Sequence, residues 1–149
     1  MKYIVNLALG ASLFMPAWAA DTKVKMEDLP PAVQAAVKEQ TKNATLVALV
    51  RETENGKTTW EAETTVNSKG RDVSFDKTGA IVAVEQEVAL ESIPAPAQAA
   101  IRRKLGKGTL KKVEEITEGK AVSYEATIVT AGKTSEVGVN ADGTADKGD

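Results

Sequence analysis

Between residues 57 and 67 apolar and polar side chains alternate. Trp60, Ala62, Thr64 and Val66 fall on one side, Thr59, Glu61, Glu63 and Thr65 on the other. Residues 122–130 repeat the pattern, with Val122, Tyr124, Ala126 and Ile128 set against Ser123, Glu125, Thr127 and Val129. A period of two belongs to a β-strand with one buried face, so both segments predict antiparallel strands whose apolar side faces a helix. Segments 45–54 and 109–117 predict the strands before them, joined through turn signals at Asn55-Gly56 and Gly119-Lys120. Val73 with Phe75, and Val137 with Val139, mark third strands ahead of glycine-containing turns at 76–79 and 140–143. Only the first set continues into an apolar fourth strand, through Ile81, Val82, Val84 and Val88.

Ahead of each set the period becomes helical. Val33, Val37 and Thr41 recur at every fourth position, as do Ala97, Ile101 and Leu105, giving each helix one narrow stripe. Asp28 and Ser92 are candidate caps, and Pro30 and Pro94 suit a first turn. Displacing the chain by 64 residues aligns 27–85 with 91–149 without a gap, and fourteen of the 59 pairs are identical, Gln34/Gln98, Glu61/Glu125 and Gly79/Gly143 among them. The pattern predicts an α+β fold of two tandem repeats, 27–88 and 89–149. Each would be one helix packed on a small antiparallel sheet of three to four strands. Residues 86–92 are expected to link them, and the polar tail 144–149 to fray, leaving the strand around Glu136–Asn140 as an open edge.

Residues 1–19 carry Lys2, an apolar run from Tyr3 to Phe14 and a small-residue exit at Ala17 and Ala19, the grammar of a secretory signal peptide. Residues 20–26 form a short extension before the first repeat. The apolar run is short for a membrane span, and no later segment is a better candidate. A soluble mature protein in the bacterial periplasm or secreted beyond it is the expectation.

Composition narrows the chemistry. The 149 residues include no His and no Cys, which removes His-based catalytic triads, thiolate nucleophiles, disulfides and the usual zinc and haem ligands. Lys and Arg number 19 against 21 Asp and Glu, a balance that disfavours nucleic acid as a partner. No cofactor and no metal are expected, and no catalytic residue is assigned.

The opening Leu29, Pro30 and Ala32, the strand Trp60, Glu61 and Glu63, and the hairpin Val73, Phe75, Asp76 and Gly79 together resemble the PepSY-like family, also described as β-lactamase-inhibitor-like. Ile93, Pro94, Tyr124, Glu125, Val137, Asn140 and Gly143 match more loosely, with Val139 where Phe is usual. The resemblance implies a secreted, non-catalytic α+β module, often in tandem, that binds or restrains other envelope proteins.

Three motifs invite stronger readings. Ser74–Lys77 fits S-x-x-K and Lys77–Gly79 fits K-T-G, but serine enzymes of that class keep the two motifs apart and add an S-D-N element. Asp72, Asp76 and Glu85 lack the spacing of a calcium loop. Glu61 and Glu63 alternate onto a face where the pattern supplies no desolvation, so they are expected to be solvated and not to act as an acid pair.

What remains is a contact surface. Strand alternation places Thr59, Glu61, Glu63, Thr65, Asp72 and Ser74 on one helix-free face, and Ser123, Glu125, Thr127, Val129 and Glu136 on another, for another periplasmic or secreted protein. Trp60, Phe75 and Tyr124 are assigned to core. Restraint of an envelope enzyme is one use of such a face. The alternative is a structural or sensing module holding a small ligand at the repeat seam or an anion at Arg102, Arg103, Lys104, Lys107, Lys111 and Lys112.

Overall fold

The computed structural model describes residues 22–54 and 56–146, so the expected signal peptide lies outside them. The elements in chain order are β1 (Thr22–Lys23), α1 (Pro31–Gln40), β2 (Thr45–Glu54), β3 (Lys57–Val66), β4 (Lys69–Phe75) and β5 (Ile81–Val88), then α2 (Ala95–Leu105), β6 (Thr109–Glu118), β7 (Ala121–Thr130) and β8 (Lys133–Asn140). The strands form one eight-stranded sheet whose spatial order is their chain order.

This corrects the expected fold class. The chain is mostly β, a single antiparallel sheet with two short helices, and not two α+β repeats each with its own small sheet. Alternation reports which face of a strand is buried but is silent about its edges. Edge strands carry unpaired N–H and C=O groups that a further strand can satisfy. Part of the stretch read as a linker, up to Val88, is strand. The sequence pattern also missed β1, which pairs with Arg51 and Val50 of β2.

The described chain falls into two compact units, one ending at Gln86 and one beginning at Glu87. In the first, Leu29 from the turn before α1 and Val33 and Val37 from α1 bury against Leu49, Ala62, Val73 and Phe75 of β2, β3 and β4. Val33, Val37, Ala62, Val73 and Phe75 are completely covered. Trp60 packs at the border of this core and is only partly buried. In the second unit, Ala97, Ala100 and Ile101 of α2 meet Val113, Tyr124, Ala126, Ile128 and Val139 of β6, β7 and β8.

The helix entries differ from expectation. Pro30 and Pro94 occupy the N-cap positions, and neither helix has a side-chain cap. Asp28 and Ser92 instead close the 3-10 turns that precede them: the Asp28 carboxylate accepts from the Lys25 N–H at 3.1 Å, and the Ser92 hydroxyl donates to the Ala89 carbonyl at 2.7 Å. Gln34 and Gln98 tie each helix to the chain before it, donating at 2.9 Å to the carbonyls of Leu29 and Ile93.

Two turns seat against the helices. Gly79 and Gly143 have φ of +80° and +82°, and a Cβ added at either would lie 2.6 Å from the carbonyl oxygen of Ala32 or Pro96. Asp76 and Asp142 order these turns, each accepting from the backbone and hydroxyl of Thr78 or Thr144. At the end of the described chain, residues 144–146 fold back along β8. Val139 bridges to Ala145, and the Asp146 N–H donates to the Gly138 carbonyl at 3.0 Å, so that stretch of edge is covered.

Gly79→Ala must displace backbone as well as adopt a positive φ, and a loss of about 3 kcal/mol is expected. Gly56→Ala carries the same φ penalty, at +76°, with nothing within 4 Å, and should cost about 1 kcal/mol. Urea unfolding of the two variants makes the comparison. Equal losses would mean that the 76–79 turn does not bear on α1.

Candidate functional site

Because neighbours along a strand face opposite ways, the burial of Ala62 under α1 commits Glu61 and Glu63 to the helix-free face. Register then assembles the rows. Glu63 of β3 lies opposite Asp72 of β4, and Asp72 lies opposite Glu85 of β5. Three acids therefore stand in line across three adjacent strands. Beside them runs a second row, in which Val50, Glu61, Ser74 and Ala83 are successive partners.

This face was expected to be solvated, and in its centre it is not. Glu61 keeps 5% of its surface exposed, Ser74 4% and Glu85 8%. Thr59, Glu63, Thr65 and Asp72 are half-buried around them. The Ser74 hydroxyl donates to Glu61 Oε2 at a long 3.4 Å, and Glu61 Oε1 is buried with no hydrogen-bond partner among the described residues. Burial, reinforced by Glu85, Asp72, Glu63 and Glu52, pushes the Glu61 carboxyl from 4.5 up to about 9. The desolvation that alternation failed to predict is thus its dominant feature.

The second unit arranges its own face differently. Glu125 of β7 lies opposite Glu114 of β6, and Thr127 lies between Lys112 and Glu136. Lys112 Nζ sits 2.7 Å from Glu114 Oε1, which belongs to a carboxylate with almost no exposure. Burial first, then Glu136 and Glu114, push Glu125 up to about 7, with Lys112 opposing them. Glu136 is raised by burial against the same opposition. Ser123, Thr127 and Val129 are half-buried on this face, and Glu136 is exposed at its margin.

The basic cluster divides. Arg102, Arg103, Lys104, Lys107 and Lys111 are exposed at and beyond the end of α2, where Arg102 pairs with Glu91 at 3.4 Å. A bulge between Leu110 and Lys112 interrupts the register, and Lys112 turns up among the acids. Ser74 is buried and Lys77 exposed in a turn, so the S-x-x-K and K-T-G motifs form no shared site. Asp76 is engaged by Thr78, whose hydrogen bonds hold its carboxyl below the usual range. Among the described residues, no group of three or more acidic side chains is disposed to hold a metal ion.

Sequence reasoning placed Glu61 and Glu125 on these faces but weighed Glu85 only as a calcium-loop candidate and Lys112 only as part of the basic cluster, and it did not place Glu114 on the face. Their register depends on strand bulges, between Leu46 and Ala48, Ser74 and Phe75, and Leu110 and Lys112. The identity of Glu61 with Glu125 at the 64-residue displacement was the available signal.

No family model matches the chain, and no curated protein matches it. The PepSY-like resemblance therefore rests on its short motifs. Solved structures do share the fold. A protein from Bacteroides eggerthii described as periplasmic superposes with a TM-score of 0.65 at 15% identity, covering 80% of this chain and 86% of its own. A DUF2874 family protein from Bacteroides uniformis gives 0.62 at 18% identity, covering 79% and 86%. A BLIP-like protein from Bacteroides fragilis gives 0.56 at 16% identity, covering 81% and 85%. At these identities the likeness is one of fold, and the chain shares that of DUF2874 and BLIP-like proteins.

Glu61 sets the pH dependence of stability. Between pH 4.5 and about 9 the folded protein retains a proton that the unfolded chain has released. Stability therefore falls as pH rises through that window, by up to about 1.4 kcal/mol per pH unit. Glu125 acts with the same sign between 4.5 and about 7. Glu61→Gln should flatten the curve and exceed the wild type in stability at pH 8, as read by urea unfolding from pH 5 to 9. Parallel curves for the two proteins would refute the burial of this carboxyl.

Proposed function

We propose that this chain is an exported, non-catalytic binding module of the bacterial periplasm that engages a protein partner through the helix-free face carrying Glu61, Glu63, Asp72 and Ser74. The observation that carries the reading is the line Glu63, Asp72 and Glu85 across adjacent strands. Like charges placed directly opposite destabilise a sheet. Asp72 also accepts from the Thr64 N–H at 3.1 Å, and a binding face gains specificity and steering from such a row. The half-buried Thr59 and Thr65 border this surface with hydroxyls suited to a polar rim.

Export is supported by the signal-peptide grammar of residues 1–19. It is also supported by a fold neighbour described as periplasmic and by the absence, among the described residues, of any helix long and apolar enough to cross a membrane. The fold shared with a BLIP-like protein favours restraint of an envelope enzyme as the form that binding takes.

Affinity capture from a periplasmic extract tests the reading. The mature protein should retain a stoichiometric protein partner. Glu63→Lys with Asp72→Lys should release it, and Arg103→Glu with Lys104→Glu, away from the face, should not. Retention of the partner by the first pair, or its loss with the second pair alone, would place the interface elsewhere.

A further inference from the structure

One end of the second unit gathers cations from several elements. Arg102, Arg103 and Lys104 close the last turn of α2, and Lys107 lies in the turn that follows. Gly108 seats that turn: its N–H donates to the Leu105 carbonyl at 2.7 Å, and a Cβ added there would lie 2.5 Å from Thr130 Oγ1 and 2.6 Å from Ile128 Cγ2. Thr130 pairs with Lys133, where β8 begins. Lys111 stands at the bulge of β6, outside the register of the strand. The helix end, the turn after it, the start of β6 and the β7–β8 hairpin therefore meet at one pole. Arg102, Arg103, Lys104, Lys107, Lys111 and Lys133 are all exposed there, and neither 102–112 nor 126–135 contains an acid.

The fold does not require this composition. Displaced by 64 residues, the first unit has Glu39, Gln40, Asn43 and Val47 where the second has Arg103, Lys104, Lys107 and Lys111. Its Glu39 pairs with Lys42 at 2.5 Å. At the basic pole Arg102 has Glu91 as a counter-charge, at 3.4 Å. Arg103, Lys104, Lys107, Lys111 and Lys133 form no ion pair among the described residues. The helix dipole favours cations in a last turn, but Lys107, Lys111 and Lys133 lie beyond it. Gathered like charges repel one another and draw anions from outside the chain.

We propose that this pole docks on the anionic headgroup layer of a phospholipid membrane. The surface is separate from the face carrying Glu61, and docking there needs no protein partner. Two features favour lipid over an acidic protein. Four of the five cations without a counter-charge are lysines. Protein interfaces are depleted in lysine, whereas a hydrated ammonium on a flexible stem suits a fluid layer of anions. The pole also offers no apolar anchor. Leu105 and Leu110 pack against the core, and the exposed Val122 lies opposite Thr117, at the other end of β6. Tight protein interfaces form around buried anchors, while a headgroup layer holds cations by charge. Export, which the grammar of residues 1–19 supports, brings the chain beside such a layer.

Cosedimentation of the whole mature protein with vesicles is the test. Vesicles of phosphatidylglycerol and phosphatidylcholine in equal parts should carry it down, and vesicles of phosphatidylcholine alone should not. Sodium chloride at about 0.5 M should release it. Each Lys or Arg near an anionic surface strengthens attachment about fivefold, so Lys107→Gln with Lys111→Gln should weaken vesicle affinity about twentyfold. Arg103→Gln with Lys133→Gln, distant in sequence but at the same pole, should do the same. Lys120→Gln, exposed in the β6–β7 turn at the opposite end, should leave the affinity nearly unchanged. Failure to sediment with the anionic vesicles, equal binding to both kinds, undiminished binding by either double variant, or an equal loss in Lys120→Gln would overturn the proposal. So would capture of an acidic protein through Lys107 and Lys111 without vesicle binding. The face carrying Glu63 and Asp72 would keep its partner in every one of these outcomes, so the two ideas fail separately.

Discussion

Adjacent residues of a strand must point to opposite faces, and in this protein both faces at the centre of β3 are dry. Ala62 is completely covered beneath α1, and Glu61, one residue earlier, is nearly as inaccessible on the other side. Moving the strand by one residue would bring Glu61 under the helix and expose Ala62, so the core penalises any slip of register here. The apolar contacts among Val33, Val37, Val73 and Phe75 fix that register. They also compel the sheet to carry a carboxyl where water cannot serve it.

The second unit shows what a compensated version looks like. Lys112 gives Glu114 a partner and opposes the rise of Glu125, which stops at about 7 where Glu61 reaches about 9. Val50 and Ala83 flank Glu61 in place of charged partners, with Ser74 between. Desolvation is therefore the largest cause of the rise of Glu61, and acidic neighbours add to it. A buried carboxyl of this kind costs the isolated fold stability, and it sits on the face to which partner binding is proposed.

Much of the local structure could be read from sequence because it is set by periodicity. The spacing of Val33 and Val37, the alternation around Trp60 and Tyr124, and the glycines at 79 and 143 each report a local requirement of helix, strand or turn. The overall architecture could not be read that way. Whether β5 is the last strand of one sheet or a middle strand of a larger one depends on edges, and edges leave no period. The site was half legible. Glu61 was visible as a face residue, but its burial arises from the rows Val50–Glu61–Ser74–Ala83 and Glu63–Asp72–Glu85, whose alignment is fixed by pairings and bulges distant in sequence. Lys112, read as one of six clustered cations, belongs to the opposite environment for the same reason.

The central claim is that Glu61 is buried among acidic neighbours without the cation that Lys112 provides beside Glu125 at the equivalent position. Ala48→Lys supplies that cation at the position of Lys112. Its unfolding free energy at pH 8, measured beside the wild type, is the most direct trial. The account predicts a variant more stable than the wild type at pH 8, with the gain disappearing near pH 5 as the carboxyls take up protons. A lysine at position 48 that leaves stability unchanged or lowers it at pH 8 would contradict the account.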